Sequence, residues 1–219
     1  MTDRPLLMSG PMIRAVLDGT KTQTRRVLKP QPEYSEAEMY SRSQGELLVG
    51  DLATNEVVFS RRNAPAQVVK VRPQLDDRIY VREAWRTWES VDHLPPRDLT
   101  QVETVQFEAD GKTENGMTMS RPGKFRQGMH MPRWASRLTL VVTDVRVQRV
   151  RDISRQDCVA EGCKGFVSND GEDGETPEEE FQGLWNTLNA DRGYGWAVNP
   201  WVVAITFETH KVNIDEMRG

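Results

Sequence analysis

The chain has few cysteines, few histidines and no long apolar run. Two cysteines, Cys158 and Cys163, and three histidines, His93, His130 and His210, occur among 219 residues. Their spacing is not that of a zinc site, so we expect no bound metal and no cofactor. No stretch approaches the roughly 20 consecutive apolar residues that a membrane helix needs, which predicts that no membrane is a partner.

The sequence predicts neither an export signal nor a disulfide. The first residues, MTDRP, lack the basic start and long apolar run of a secretory signal. Cys158 and Cys163 are five residues apart at the end of a predicted helix, and we do not expect them to form a disulfide. Free thiols and the missing signal predict a cytoplasmic protein.

Positive charge is scarce overall, because the net charge is −4. A protein that binds nucleic acid over its whole surface is therefore excluded, since phosphate affinity comes from basic charge. One stretch combines basic and aromatic residues: Arg121, Lys124, Phe125, Arg126, His130, Arg133, Trp134 and Arg137. This stretch could contact RNA, or it could be a solvated arginine-rich loop beside a buried tryptophan.

Apolar spacing predicts an α+β fold with a small curved β-barrel and short flanking helices. The predicted helices cover residues 11–18, 154–162 and 178–188, with Ser154 as an N-cap and Gly19 just beyond the first helix. The predicted strands cover residues 6–8, 56–60, 78–82, 104–108, 138–150 and 201–207. Residues 30–70 are weakly patterned and predict a surface excursion, and residues 167–177 an acidic loop.

Residues 19–26, GTKTQTRR, resemble the signature of the ASCH family, which is glycine, any residue, lysine, two of any, glutamate, any and arginine. Lys21 and Arg26 match the lysine and arginine, and Thr24 stands where the signature has glutamate. That departure resembles the bacterial N4-acetylcytidine amidohydrolases of this family. The segments VREAW at 81–85, MPRWA at 131–135 and NPW at 199–201 are similar to longer, phage-associated ASCH proteins.

The resemblance implies one ASCH-like domain over residues 1–219, similar to the PUA fold, with long insertions at about 30–70 and 89–130. It implies a metal-independent amidohydrolase that removes acyl groups from N4-acylated cytidine or cytosine derivatives. Its catalytic residues would be Lys21, Thr24 and Glu161, the last by alignment of a later helix. The alternative is a non-catalytic RNA- or nucleotide-binding module of phage or prophage origin. A nuclease is a more distant third choice.

The residues themselves supply the groups that amide hydrolysis needs. Thr24 offers a hydroxyl nucleophile, and Lys21 could accept its proton if burial favours the neutral amine. Alternatively, Glu161 activates water and Thr24 only binds. Because side chains alternate along a strand, Lys21 and Thr24 can cooperate only if the segment turns or bulges. The plainer interpretations are a solvated turn after a helix and an exposed glutamate at a helix end.

Four further residues are predicted to bind the substrate: Arg26, Arg82, Glu83 and Trp85. Trp85 at the end of a strand could stack on a flat base, while Arg82 and Glu83 contact its polar edge. Packing of Trp85 in the core is the alternative, since tryptophan is mostly buried in proteins.

Overall fold

The computed structural model describes residues 3–32, 56–59, 67–166 and 174–217. Three α-helices lie in these ranges: α1 (Gly10–Leu17), α2 (Arg155–Ala160) and α3 (Pro177–Asn189). The strands of these ranges are β1 (Asp3–Leu7), β2 (Gln23–Val27), β3 (Glu56–Phe59), β4 (Gln67–Lys70), β5 (Arg78–Arg82), β6 (Trp85–Arg86), β7 (Gln106–Phe107), β8 (Lys112–Thr113), β9 (Thr139–Arg149) and β10 (Trp201–His210). None of the helices in these ranges has both the length and the apolar character needed to cross a bilayer.

The strands form three sheets, and the largest has the order β1-β5-β9-β10-β2. In it β1 runs parallel to β5, β5 antiparallel to β9, and β10 antiparallel to β2. The smaller sheets are β3-β4 and β6-β7-β8. The predicted mixture of strands and short helices is confirmed. Within the described ranges, no pairing joins β1 to β2, so a closed barrel is not found there.

The chain divides into two compact units. Unit 1 comprises Met1–Lys21, Asp76–Val141 and Phe207–Gly219, and unit 2 comprises Thr22–Leu75 and Val142–Thr206. Lys21 is therefore the last residue of the first segment of unit 1, whereas Thr24 and Glu161 belong to unit 2.

Unit 1 contains a hydrophobic core around the β6-β7-β8 sheet. Its buried members are Trp85, Leu99, Val105, Phe107, Met131 and Ala135. Three of them, Leu99, Val105 and Phe107, come from the predicted insertion at 89–130. This segment therefore supplies part of the core of unit 1, because its apolar residues are spaced to reach inward despite a polar composition.

Unit 2 has its own core, which is made of Val150, Cys158, Cys163, Phe181, Trp185 and Val202. Both cysteines are buried and free, as expected. The predicted strand at 56–60 is confirmed as β3, and the Phe59 ring meets the Trp201 ring edge-on at 5.2 Å. The remainder of the predicted surface excursion, at 33–55 and 60–66, lies outside the described residues, as does the acidic loop from 167 to 173.

The helix-start and helix-stop signals of the sequence correspond to real ends. Ser9 is the N-cap of α1, and Gly19, at φ +73°, turns the chain just beyond it. Ser154 caps α2 through its hydroxyl, which accepts a hydrogen bond from Asp157 N at 3.1 Å. In α3, Phe181 and Trp185 are buried, whereas Leu188 in the last turn is 41% exposed.

Candidate active site

Lys21 lies in a turn of unit 1 and is fully buried, with none of its surface exposed. The backbone N–H groups of Thr20 and Lys21 both donate to Ala15 O at 2.9 Å, which folds the chain back onto the end of α1. β2 begins only at Gln23, so Lys21 is outside the strand. The alternation rule that separates residues three apart in a strand does not govern this lysine.

Thr24 lies inside β2 and is 3% exposed. It is opposite Ile205 of β10 in the antiparallel register. Side chains alternate along a strand, so Gln23 and Arg25 leave one face of β2 and Thr24 leaves the other. Thr22, just before the strand, is exposed. The predicted nucleophile is thus a buried hydroxyl, which rejects the solvated-turn interpretation for this residue.

Glu161 is brought next to the motif by the end of α2. It is the C-cap of that helix, and it is only 6% exposed. Thr22 N donates to Ala160 O at 2.8 Å, which joins the last helical residue to the chain just before β2. An exposed glutamate at a helix end is therefore not what the structure contains.

The end of α2 is held by a Schellman motif. Cys163 N donates to Cys158 O at 3.0 Å, and Gly162 N donates to Val159 O at 2.9 Å. Gly162 adopts φ +95°, a conformation that favours glycine because it has no Cβ. The two bonds fix the backbone on both sides of Glu161 and limit where its carboxylate can point.

Arg25 links the Glu161 carboxylate to a second carboxylate one helical turn earlier. Its Nη1 atom is 3.1 Å from Glu161 Oε1, and its Nη2 atom is 3.0 Å from Asp157 Oδ2. Nη1 also donates to Gln23 Oε1 at 2.5 Å, and the guanidinium carbon lies 5.9 Å from the centre of the Phe181 ring. The Arg25 side chain is 1% exposed, so these contacts form in a nearly dry environment.

The pKa values of Asp157 and Arg26 are shifted by burial and by neighbouring charges. Burial acts to raise the pKa of Asp157. The hydrogen bond from Arg146 and the charge of Arg25 lower it, and together with smaller contributions they outweigh burial, so the pKa of Asp157 is below its usual value. Burial lowers the pKa of Arg26, the negative charge of Glu161 opposes this, and the charge of Arg192 adds to it. Arg26 and Arg25 therefore both interact electrostatically with Glu161.

The other three predicted substrate contacts lie in unit 1, where two of them are occupied by internal contacts. Glu83 accepts two hydrogen bonds from Arg137, Nε to Oε1 at 2.9 Å and Nη2 to Oε2 at 3.0 Å. The Trp85 ring is completely buried, with the Arg126 guanidinium carbon 5.4 Å from its centre. Trp85 has no exposed face on which a base could stack, so the core-packing alternative is correct for this tryptophan.

Arg82 remains partly accessible. Its guanidinium carbon is 5.5 Å from the centre of the Tyr80 ring, and its Nη1 donates to Met129 O at 3.3 Å. The three residues Arg82, Glu83 and Trp85 therefore do not together surround a space for a flat base. Arg82 is half-buried against Tyr80, Glu83 is in an ion pair with Arg137, and Trp85 is in the core.

The sequence did not identify Gln23, Asp157 and Arg146 as parts of the cluster, and it placed Arg25 near Lys21 without linking it to Glu161. A signal for Asp157 was present, since it precedes Glu161 by four residues and such residues share a helix face. No signal showed that Arg25 would meet that face, because the pairing depends on how α2 packs on β2. Arg25 also occupies a position of the signature where any residue is allowed.

The basic stretch is mostly used internally. Arg133 pairs with Asp3 and Asp215, Arg137 pairs with Glu83 and Asp110, and Arg126 donates to Leu94 O at 3.1 Å. The exposed members are Arg121, Lys124, Phe125 and His130. The ion pairs of Arg133 and Arg137 reduce the positive charge that this stretch offers to RNA.

On the face of β2 that meets α2, Arg25 forms a polar cluster with the carboxylates of Asp157 and Glu161, whereas the buried Thr24 side chain leaves the other face of the strand. Such groups can move protons and stabilise developing negative charge. In the described ranges, no three His, Cys, Asp or Glu side chains come close enough together to hold a metal ion. Comparisons with family models, with curated proteins and with solved structures find no match to this chain.

Proposed function

We propose that the protein is a metal-independent amidohydrolase that removes acyl groups from the N4 of cytidine or cytosine derivatives, with Lys21, Thr24 and Glu161 as catalytic residues. The observation that carries the proposal is the burial of Thr24 and Glu161 at adjoining ends of β2 and α2 in unit 2. The proposal includes membership of the ASCH family, with a PUA-like curved barrel and a cytoplasmic location.

Hydrolysis adds one water across the bond between N4 and the acyl carbon, which gives a carboxylic acid and a free amine. In the first route the Thr24 oxygen attacks the acyl carbon and loses its proton to Lys21. The N4–acyl bond breaks, the amine takes up a proton, and water then cleaves the threonine ester. In the second route Glu161 takes a proton from water, the hydroxide attacks the acyl carbon, and Thr24 binds the substrate. The N4–acyl bond then breaks, and the proton held by Glu161 passes to the leaving amine.

The role of Lys21 rests on its place in the motif and on its full burial. The positive charge of Arg26, which interacts with Glu161, suits the negative charge that develops on the acyl oxygen. Arg26 and Arg82 are the proposed substrate contacts, since both retain partial exposure.

The direct test is release of cytidine from N4-acetylcytidine, followed by chromatography with and without a chelator. We expect turnover that the chelator does not change. Thr24→Ala and Glu161→Gln should each lower kcat by about 100- to 10,000-fold, the range for loss of a proton-transfer group. Thr22→Ala is the matched control, because Thr22 is an exposed neighbour in the same segment, and it should keep wild-type activity.

The two routes differ in whether a covalent ester forms. Mass spectrometry of the protein after rapid acid quenching should find one added acetyl group on Thr24 in the first route and none in the second. Thr24→Ser would keep a nucleophile in the first route and retain part of the activity. Absence of turnover on every N4-acylated cytosine would remove the hydrolase proposal.

One observation favours a second function, which is binding of RNA or a nucleotide without catalysis. Phe125 is 52% exposed and directly follows Lys124, which is exposed like Arg121. Exposed aromatic rings beside positive charge can stack on unpaired bases. Salt-sensitive binding of single-stranded RNA that is lost in Phe125→Ala, together with no turnover, would support this function instead.

A further inference from the structure

Arg25 makes a fork between two carboxylates of α2 that lie one turn apart. Asp157 and Glu161 are separated by four residues, so both face β2 from the same side of the helix. The two terminal nitrogens of Arg25 reach one carboxylate each, at 3.0 Å and 3.1 Å. Asp157 is also bound from its other oxygen by Arg146 Nη2 at 3.0 Å. Arg146, whose side chain is 43% exposed, also pairs with Asp144, so Arg25 is the buried cation that Asp157 and Glu161 share.

We propose that Arg25 is a positioning residue for the Glu161 carboxylate, and that Asp157 and Gln23 hold Arg25 in place for this task. The inference rests on the proposed function. Gln23 accepts from Nη1, and its own Nε2 donates to Thr206 Oγ1 at 3.2 Å, so the amide that contacts Arg25 is fixed to β10. Arg25 acts through Glu161 and is assigned no contact with the substrate.

The shape of the guanidinium explains why this position holds arginine. A planar group with donors in fixed directions can serve two carboxylates and an amide oxygen at once. A lysine ammonium keeps the charge but is a single point at the end of a flexible stem. With lysine at position 25, Asp157 and Glu161 would compete for one cation, and Glu161 would lose its fixed direction.

The expected competition between Asp157 and Glu161 for a lysine at position 25 can be tested by kinetics. Loss of stability alone would not give the pattern of kcat values described next. The kinetics of N4-acetylcytidine hydrolysis are measured for wild type, Arg25→Lys, Asp157→Asn and the double variant. In Arg25→Lys we expect kcat to fall roughly 10- to 100-fold, since a misplacement of about 1 Å can cost 100-fold, while KM changes little. In the double variant the ammonium has only Glu161 to serve, so kcat should rise above that of Arg25→Lys.

A matched control lies on α2, the helix that carries Asp157. Arg155 pairs with Glu178 at 3.4 Å, but the Arg155 side chain is 66% exposed. Exposed ion pairs contribute little, so Arg155→Lys should leave kcat unchanged. Urea unfolding of the same proteins provides a readout that does not depend on activity. Arg25→Met should lower the urea midpoint, and adding Glu161→Gln should restore part of it, because the second change removes the uncompensated buried charge.

Each outcome decides the inference. A kcat loss in Arg25→Lys that Asp157→Asn partly reverses, with an unchanged Arg155→Lys, supports positioning. An active Arg25→Lys, or a double variant less active than Arg25→Lys, overturns it. If Arg25→Met does not fold, Arg25→Lys still decides. A wild type without turnover but with the coupling in urea overturns the proposed function, and the positioning role falls with it although the ion pair is real.

Discussion

Replacing Arg137 with methionine should test the charge network of unit 1. The change keeps the length of the side chain but removes both bonds to Glu83 and the bond from Nη1 to Asp110 Oδ2 at 2.8 Å. It also removes the stacking of the guanidinium on Phe107, whose ring centre is 3.9 Å from the guanidinium carbon. The Glu83 side chain is 3% exposed, so its charge would be left buried without this partner. We expect a loss of about 3–5 kcal/mol in the free energy of unfolding at neutral pH.

The loss should depend on pH in a defined direction. Burial raises the pKa of Glu83 above its usual value, and the hydrogen bonds from Arg137 oppose this. Without Arg137 the pKa of Glu83 should rise further. A carboxyl whose folded-state pKa is raised favours folding below its unfolded pKa, near 4.5, and this contribution is lost as pH increases through the folded value. The cost of Arg137→Met should therefore be largest near pH 7 and smaller near pH 5.

Urea unfolding at these two pH values measures both effects. Arg97→Met is the matched control in unit 1, because the Arg97 side chain is 85% exposed and its pair with Asp98 is 3.7 Å long. It should change stability by less than about 0.5 kcal/mol. The double variant Glu83→Gln/Arg137→Met should be more stable at neutral pH than Arg137→Met alone. A cost below about 1 kcal/mol, or an equal cost at both pH values, would refute the reasoning.

Three further predictions concern single residues. Ser154→Ala should lower the unfolding free energy by about 1 kcal/mol, because α2 loses the cap on Asp157 N, and no change in urea unfolding would contradict it. Burial raises the pKa of the Cys158 thiol to about 11, so iodoacetamide should modify Cys158 much more slowly in the folded protein than in urea at about pH 8; equal rates would contradict burial. Trp85→Ala should cost about 3–5 kcal/mol of stability, and a changed KM with unchanged stability would instead favour a substrate contact.

The local features of the fold were predictable from the sequence. Ser154 marks the start of α2 because its side chain satisfies a backbone N–H that the helix leaves open, and Gly19 marks the end of α1 because it adopts a left-handed conformation. The strands at β5, β9 and β10 follow from runs of Val, Ile and Leu. Pairing between strands could not be predicted, since partners such as β2 and β10 are distant in the sequence and no local signal selects them. The barrel expectation depended on such pairings.

The candidate site was predictable in part for the same reason. Lys21, Thr24 and Glu161 were named from a motif and an aligned helix, and all three are buried. The contact between Glu161 and Arg25 depends on how α2 packs on β2, and the spacing of residues in the sequence does not predict that packing. Glu83 was predicted to contact the polar edge of a substrate because it stands near Trp85 at the end of a strand, but Arg137, fifty-four positions later, pairs with it inside unit 1.

The hydrolase proposal is tested most directly by counting product per protein molecule. Wild-type protein is mixed with excess N4-acetylcytidine in the presence of a chelator, and cytidine and acetate are quantified over time, with Thr24→Ala in parallel. We predict equal amounts of both products, many for each protein molecule, and almost none from Thr24→Ala. Cytidine no faster than in a blank without protein, or the same rate from Thr24→Ala, would contradict it.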